Sequence, residues 1–138
     1  MTQVVSKVGS LVIFGCLLSA CNKQELTSTC VTVPDQIVAK IEQTLEPPNI
    51  ATGLSPSFAV WVQKERIWLI AAEIEGTSIL EGDDDVGVWA SEDLSSLGRL
   101  EGVNLEAIQH SAIPQRESFP KGVDAAKRCV EEDLRKNL

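Results

Sequence analysis

Apolar side chains recur three and four apart through residues 34–46 (PDQIVAKIEQTLE), at Ile37, Val38, Ile41 and Leu45, and that spacing predicts a helix with one apolar stripe. Pro34 suits a first turn, Asp35 complements the positive end of the helix dipole, and Pro47-Pro48 stops the run, leaving 49–56 as loop. The period then shortens. Residues 57–63 (SFAVWVQ) and 66–75 (RIWLIAAEIE) are rich in β-branched and aromatic side chains and are separated only by Lys64-Glu65, which predicts a hairpin. Folding about those two residues sets Trp61 opposite Trp68, Val62 opposite Ile67 and Val60 opposite Leu69, whether the loop holds two residues or four. Both faces of this hairpin are apolar: Phe58, Val60, Val62, Ile67, Leu69 and Ala71 on one, Ala59, Trp61, Trp68, Ile70, Ala72 and Ile74 on the other.

Farther along, residues 76–85 (GTSILEGDDD) read as an acidic loop, 86–91 (VGVWAS) as a third strand and 92–102 mostly as turn. Residues 104–111 (NLEAIQHS) predict a short helix capped by Asn104. A final amphipathic helix over 121–136 carries Val123, Ala126, Val130 and Leu134 on its apolar side, with Cys129 at the border. The expected fold is therefore α+β: a small antiparallel sheet of three or more strands with N-terminal and C-terminal helices packed on it. At 138 residues the chain is long enough for one domain of ordinary size, and residues 31–138 are assigned to it.

The beginning of the chain follows neither period. Residues 8–18 (VGSLVIFGCLL) form an apolar run preceded by Lys7, too short to cross a bilayer as a helix, and they read as the core of a signal peptide over residues 1–20. Leu18-Ser19-Ala20-Cys21 then resembles the lipobox of bacterial lipoproteins, with an aliphatic residue, two small residues and a cysteine in order. The resemblance implies diacylglyceryl transfer to the Cys21 sulfur, cleavage between Ala20 and Cys21, and further acylation of the new terminus with palmitate-type chains. Two or more acyl chains anchor stably where one does not. Residues 21–30 would then be the lipidated N-terminus and a polar tether. Two other readings stay open: an ordinary signal peptide that leaves Cys21 unmodified, and modification at Cys16, where Phe14 is bulky for the position two residues upstream. Asn22, rather than Asp, follows Cys21, which in a bacterium with two membranes implies the outer membrane, facing the periplasm.

Charge narrows the partners. The whole chain carries 12 basic and 20 acidic side chains, and removal of the segment holding Lys7 leaves 11 against 20, a formal −9. Such a surface repels phosphate backbones, which argues against nucleic acid. It gains nothing from anionic lipid either, so the membrane is reached through the lipid on Cys21 rather than through charge. Of four cysteines, Cys30 and Cys129 remain once Cys16 is cleaved away and Cys21 is acylated, an even pair in an oxidising compartment. They predict one disulfide tying the start of the domain to its last helix, against the alternative of two separate buried thiols.

No stretch carries a strong catalytic or metal-binding pattern. His110 is the only histidine, and a small envelope hydrolase would need it as base beside a serine such as Ser111 or Ser91 and an acid such as Asp85, but no G-x-S-x-G elbow is present. Glu73, Glu81 and Asp83–Asp85 lack the alternating spacing of a calcium loop, and no cofactor or metal is expected. The Trp61–Trp68 pair is the stronger candidate: with Ala59, Ile70, Ala72 and Ile74 it outlines an apolar trough able to seat an envelope protein or a glycan ring, unless a helix covers it. Residues 67–76 (IWLIAAEIEG) together with 86–90 (VGVWA) are similar to small uncharacterised domains of secreted and lipid-anchored bacterial proteins, a likeness that implies export and no particular activity. The expectation is a lipid-anchored cell-envelope protein that binds a partner rather than an enzyme, the His110 hydrolase being the alternative.

Overall fold

The computed structural model describes residues 29–46, 51–76, 85–95 and 98–138. The expected signal segment with Ala20 and Cys21, most of the expected tether, and residues 77–84 of the expected acidic loop lie outside these residues. The elements run β1 (Val31–Thr32), α1 (Asp35–Glu42), β2 (Ala51–Val62), β3 (Ile67–Gly76), β4 (Val86–Ser91), β5 (Leu100–Gly102), α2 (Leu105–His110) and α3 (Val123–Lys136). The five strands form one sheet in the order β1-β2-β3-β4-β5, every neighbouring pair antiparallel, so the fold is α+β as the pattern predicts.

The hairpin keeps the predicted register. Trp61 lies opposite Trp68, Val62 opposite Ile67 and Val60 opposite Leu69, around a four-residue connection in which Arg66 takes φ 53°. β4 begins and ends at Val86 and Ser91 as expected. Three other boundaries differ. β2 starts at Ala51, within the stretch expected to be loop, and crosses Gly53 and Pro56 through two register irregularities, where a strand tolerates residues that interrupt its ladder. α1 stops at Glu42 because the following chain turns tightly and Leu45 forms a bridge with Ser111. α3 starts at Val123, since Gly122 at φ 111° cannot continue a right-handed helix backwards to Lys121.

The helices take opposite faces of the sheet. Ile37, Ile41 and Leu45 from α1 and the residues after it, with Ala107 from α2, pack on Ala59, Ile70, Ala72, Ile74 and Trp89. On the other face Ala126, Cys129 and Val130 of α3 pack on Val60, Leu69, Ala71, Val88 and Ala90. This corrects the trough: Ala59, Ile70, Ala72 and Ile74 are core, sealed beneath α1 and α2, because each apolar hairpin face receives its own helical cover.

Asn104 caps α2 as predicted, its Oδ1 accepting from the Ala107 N–H at 3.1 Å. The same amide also ties the helix to β4: Oδ1 accepts from the Val88 N–H at 2.8 Å and Nδ2 donates to the Val86 carbonyl at 2.8 Å. Cys30 and Cys129 are joined in a disulfide across 99 residues of sequence, fastening the chain just before the two-residue β1 to the middle of α3.

Candidate functional site

Three tryptophans occupy three different environments. Trp89 is fully buried in β4 under α2, its Nε1 donating to Ser111 Oγ at 3.1 Å, and that hydroxyl in turn donates to the Ala107 carbonyl at 2.6 Å. Trp68, opposite Ser91, is half-buried and packs against the edge of the same core. Trp61 is 40% exposed. Its ring centroid stands 5.3 Å from that of Trp68 at an interplanar angle of 57°, a tilted pair within the favourable range for aromatic contact. Trp61 Nε1 donates to Gln63 Oε1 at 2.8 Å, which satisfies the indole N–H and orients the exposed ring. The two indoles singled out by the register are thus together, but what they present is an aromatic edge at the hairpin end of the sheet, not a trough running its length.

Other candidate residues have structural partners. Ser111, beside His110, is turned into the core and holds Trp89 and Ala107, so its hydroxyl is occupied structurally. Ser91 donates to the Asp93 carbonyl at 2.6 Å within a turn. Asp85 lies next to Glu73, with which it shares a side-chain hydrogen bond. Among the described residues no cluster of three histidine, cysteine or acidic side chains is placed to hold a metal ion, and no described helix is long and apolar enough to cross a membrane.

Two features were invisible in the sequence. An open groove of about 430 Å³ is lined by Arg99, Glu101, Gln115, Arg116, Glu117 and Ser118 along the β5 edge. Its charges are of both signs, and Arg116 Nη1 is paired with Glu101 Oε1 at 2.8 Å, so the groove offers no concentrated field for a ligand of one sign. Segments distant in sequence make this edge: Gly102 bridges Gln115 in parallel, an arrangement no local period encodes.

The second is Glu73. Burial, a hydrogen bond with Asp85 and the like charges of Asp85 and Glu75 push its carboxyl up to about 7. Between the ordinary carboxylate range and that value the folded chain keeps a proton that the unfolded chain has released. Its contribution to stability is therefore full below about pH 4.5 and is lost as pH rises through about 7. Glu73→Gln should remove this component, so that the variant gains stability over the wild type by roughly 1 kcal/mol more at pH 8 than at pH 5. Urea unfolding at the two pH values checks it, and equal differences would refute the raised titration.

No family model matches the chain, and neither a curated protein nor a solved structure matches it.

Proposed function

We propose that this chain is a lipid-anchored protein of the bacterial cell envelope whose acidic α+β domain is a binding module rather than an enzyme, with Trp61 and Trp68 at its contact surface. The observation that carries the binding reading is the exposure of Trp61. An indole left 40% exposed, held in a tilted pair with Trp68 and with its N–H already satisfied, presents area without needing further burial for its own polar atom. The anchor reading is supported by the lipobox ending at Cys21, and the acidic charge of the domain supplies no electrostatic attraction to anionic lipid. In a two-membrane bacterium Asn22 favours the outer membrane, with the domain facing the periplasm.

Intact mass of the membrane-extracted protein tests the anchor. The expected species begins at Cys21 and carries an acyl increment, and Cys21→Ser should accumulate as an unprocessed precursor without one. A mature chain lacking any acyl mass would overturn the reading.

A further inference from the structure

Trp61 and Trp68 stand at the hairpin end of the sheet, and it is the end where the chain enters the domain. β1 pairs antiparallel with β2 through Val31↔Ala59 and Thr32↔Phe58, so the chain comes to β1 from the end of β2 that leads to Trp61. The hairpin loop that follows Trp61 and Val62 exposes Lys64 and Arg66. α3 also begins here, since a Cβ added at Gly122 would lie 3.4 Å from Val62 Cγ2. Immediately before that glycine come Lys121, exposed, and Phe119, which is 60% exposed. Leu105, also 60% exposed, is at the opposite end, beside an Asn104 that hydrogen-bonds to Val86 at the start of β4.

From this arrangement we infer that the Trp61–Trp68–Phe119 end rests on the bilayer to which Cys21 is attached, the rings seated at the phospholipid headgroup level. The inference rests on the reading of Cys21 as lipidated and names the first surface its exposed indole would meet. Eight peptide steps separate Cys21 from Thr29, a reach of at most about 29 Å even when fully extended, so the entry end is held nearest the lipid. Tryptophan is the side chain best suited to that depth, with an apolar ring for the acyl boundary and a polar N–H for the wet side. Charge does not carry the contact. Lys64, Arg66 and Lys121 at this end stand among Glu65 in the loop, Glu92 and Asp93 after β4 and Asp124 in the first turn of α3, so both signs are present there on a strongly acidic domain. Such mixed charge meets less repulsion at an anionic headgroup layer than a purely acidic surface would.

The test uses the full mature protein, reconstituted into phosphatidylcholine vesicles whose lipids carry bromine either near the headgroup or near the bilayer centre. Trp89, fully buried in the core, serves as an internal reference that bromine does not reach. The tryptophan emission should be quenched about twofold more by the shallow label than by the deep one, as interfacial indoles are. Trp61→Ala should lose most of that quenching and Phe119→Ser should reduce it, whereas Leu105→Ser should leave it unchanged. Intact mass is measured on the same sample. Emission untouched by either label in protein that carries its acyl mass would overturn the membrane contact while leaving the anchor standing, and would be the signature of indoles turned toward a protein or glycan. Absence of the acyl mass would overturn both.

Discussion

Removing the Cys30–Cys129 bridge, as in Cys30→Ala/Cys129→Ala, is expected to lower the stability of the domain by about 2–5 kcal/mol, the range found for native disulfides of small secreted domains. The bridge spans 99 residues and so encloses nearly the whole fold. For a loop near that length the chain-entropy account gives about 4.7 kcal/mol, and compactness of the unfolded chain makes this an upper figure. The native side of the balance points the same way. β1 contributes only two residues to the sheet, too few to hold an edge strand by themselves, and the bond fastens the chain beside it to a helix docked by Ala126 and Val130. Urea unfolding of the double variant against the wild type measures the difference. A loss under roughly 0.5 kcal/mol would show that the crosslink constrains little.

Trp89→Ala is expected to be comparably damaging, at about 3–5 kcal/mol, the usual consequence of emptying a buried tryptophan site. The surroundings are shaped around this indole. A Cβ at Gly87, two residues back on the same face of β4, would stand 2.5 Å from Trp89 Cη2 and 3.0 Å from Ile74 Cδ1, so the absence of a side chain there is what gives the ring its place. Its partner Ser111 is itself buried and is positioned by the Leu45 bridge and the end of α2. Truncation therefore leaves a cavity and costs Ser111 one of its two hydrogen-bond partners. A denaturation midpoint for Trp89→Ala near that of the wild type would contradict the assignment of Trp89 as the centre of the core.

The sequence made some of this legible and concealed the rest for identifiable reasons. The hairpin register could be read because Lys64-Glu65 is the only polar break between two β-rich runs, and pairing about it is forced whichever loop forms. The Asn104 cap is a local inference from a capping side chain, and the Cys30–Cys129 pair follows from cysteine parity and compartment rather than from any local pattern. By contrast, β5 is three residues long and β1 two, and neither length supports a period. Gly53 and Pro56 read as loop because the irregular pairing that lets β2 run past them is set by β3, not by the residues themselves. Nor could the pattern assign a helix to each face. Two apolar hairpin faces are compatible with helices on one side and a partner on the other, and only the packing of α3 on Val60 and Leu69 settles that both are covered. For the same reason the two indoles were found but their unequal burial was not: alternation gives the face of the sheet, while the distance along the strand to the edge of α1 decides exposure.

The central claim is that Trp61, unlike Trp89, is held out for contact rather than for stability. The most direct measurement is the unfolding free energy of Trp61→Ala, set beside that of Trp89→Ala in the same buffer. The expected loss at Trp61 is about 1 kcal/mol or less, the worth of a surface aromatic pair. A loss at Trp61 in the ~3–5 kcal/mol range of a buried tryptophan would make it part of the core and would contradict the account.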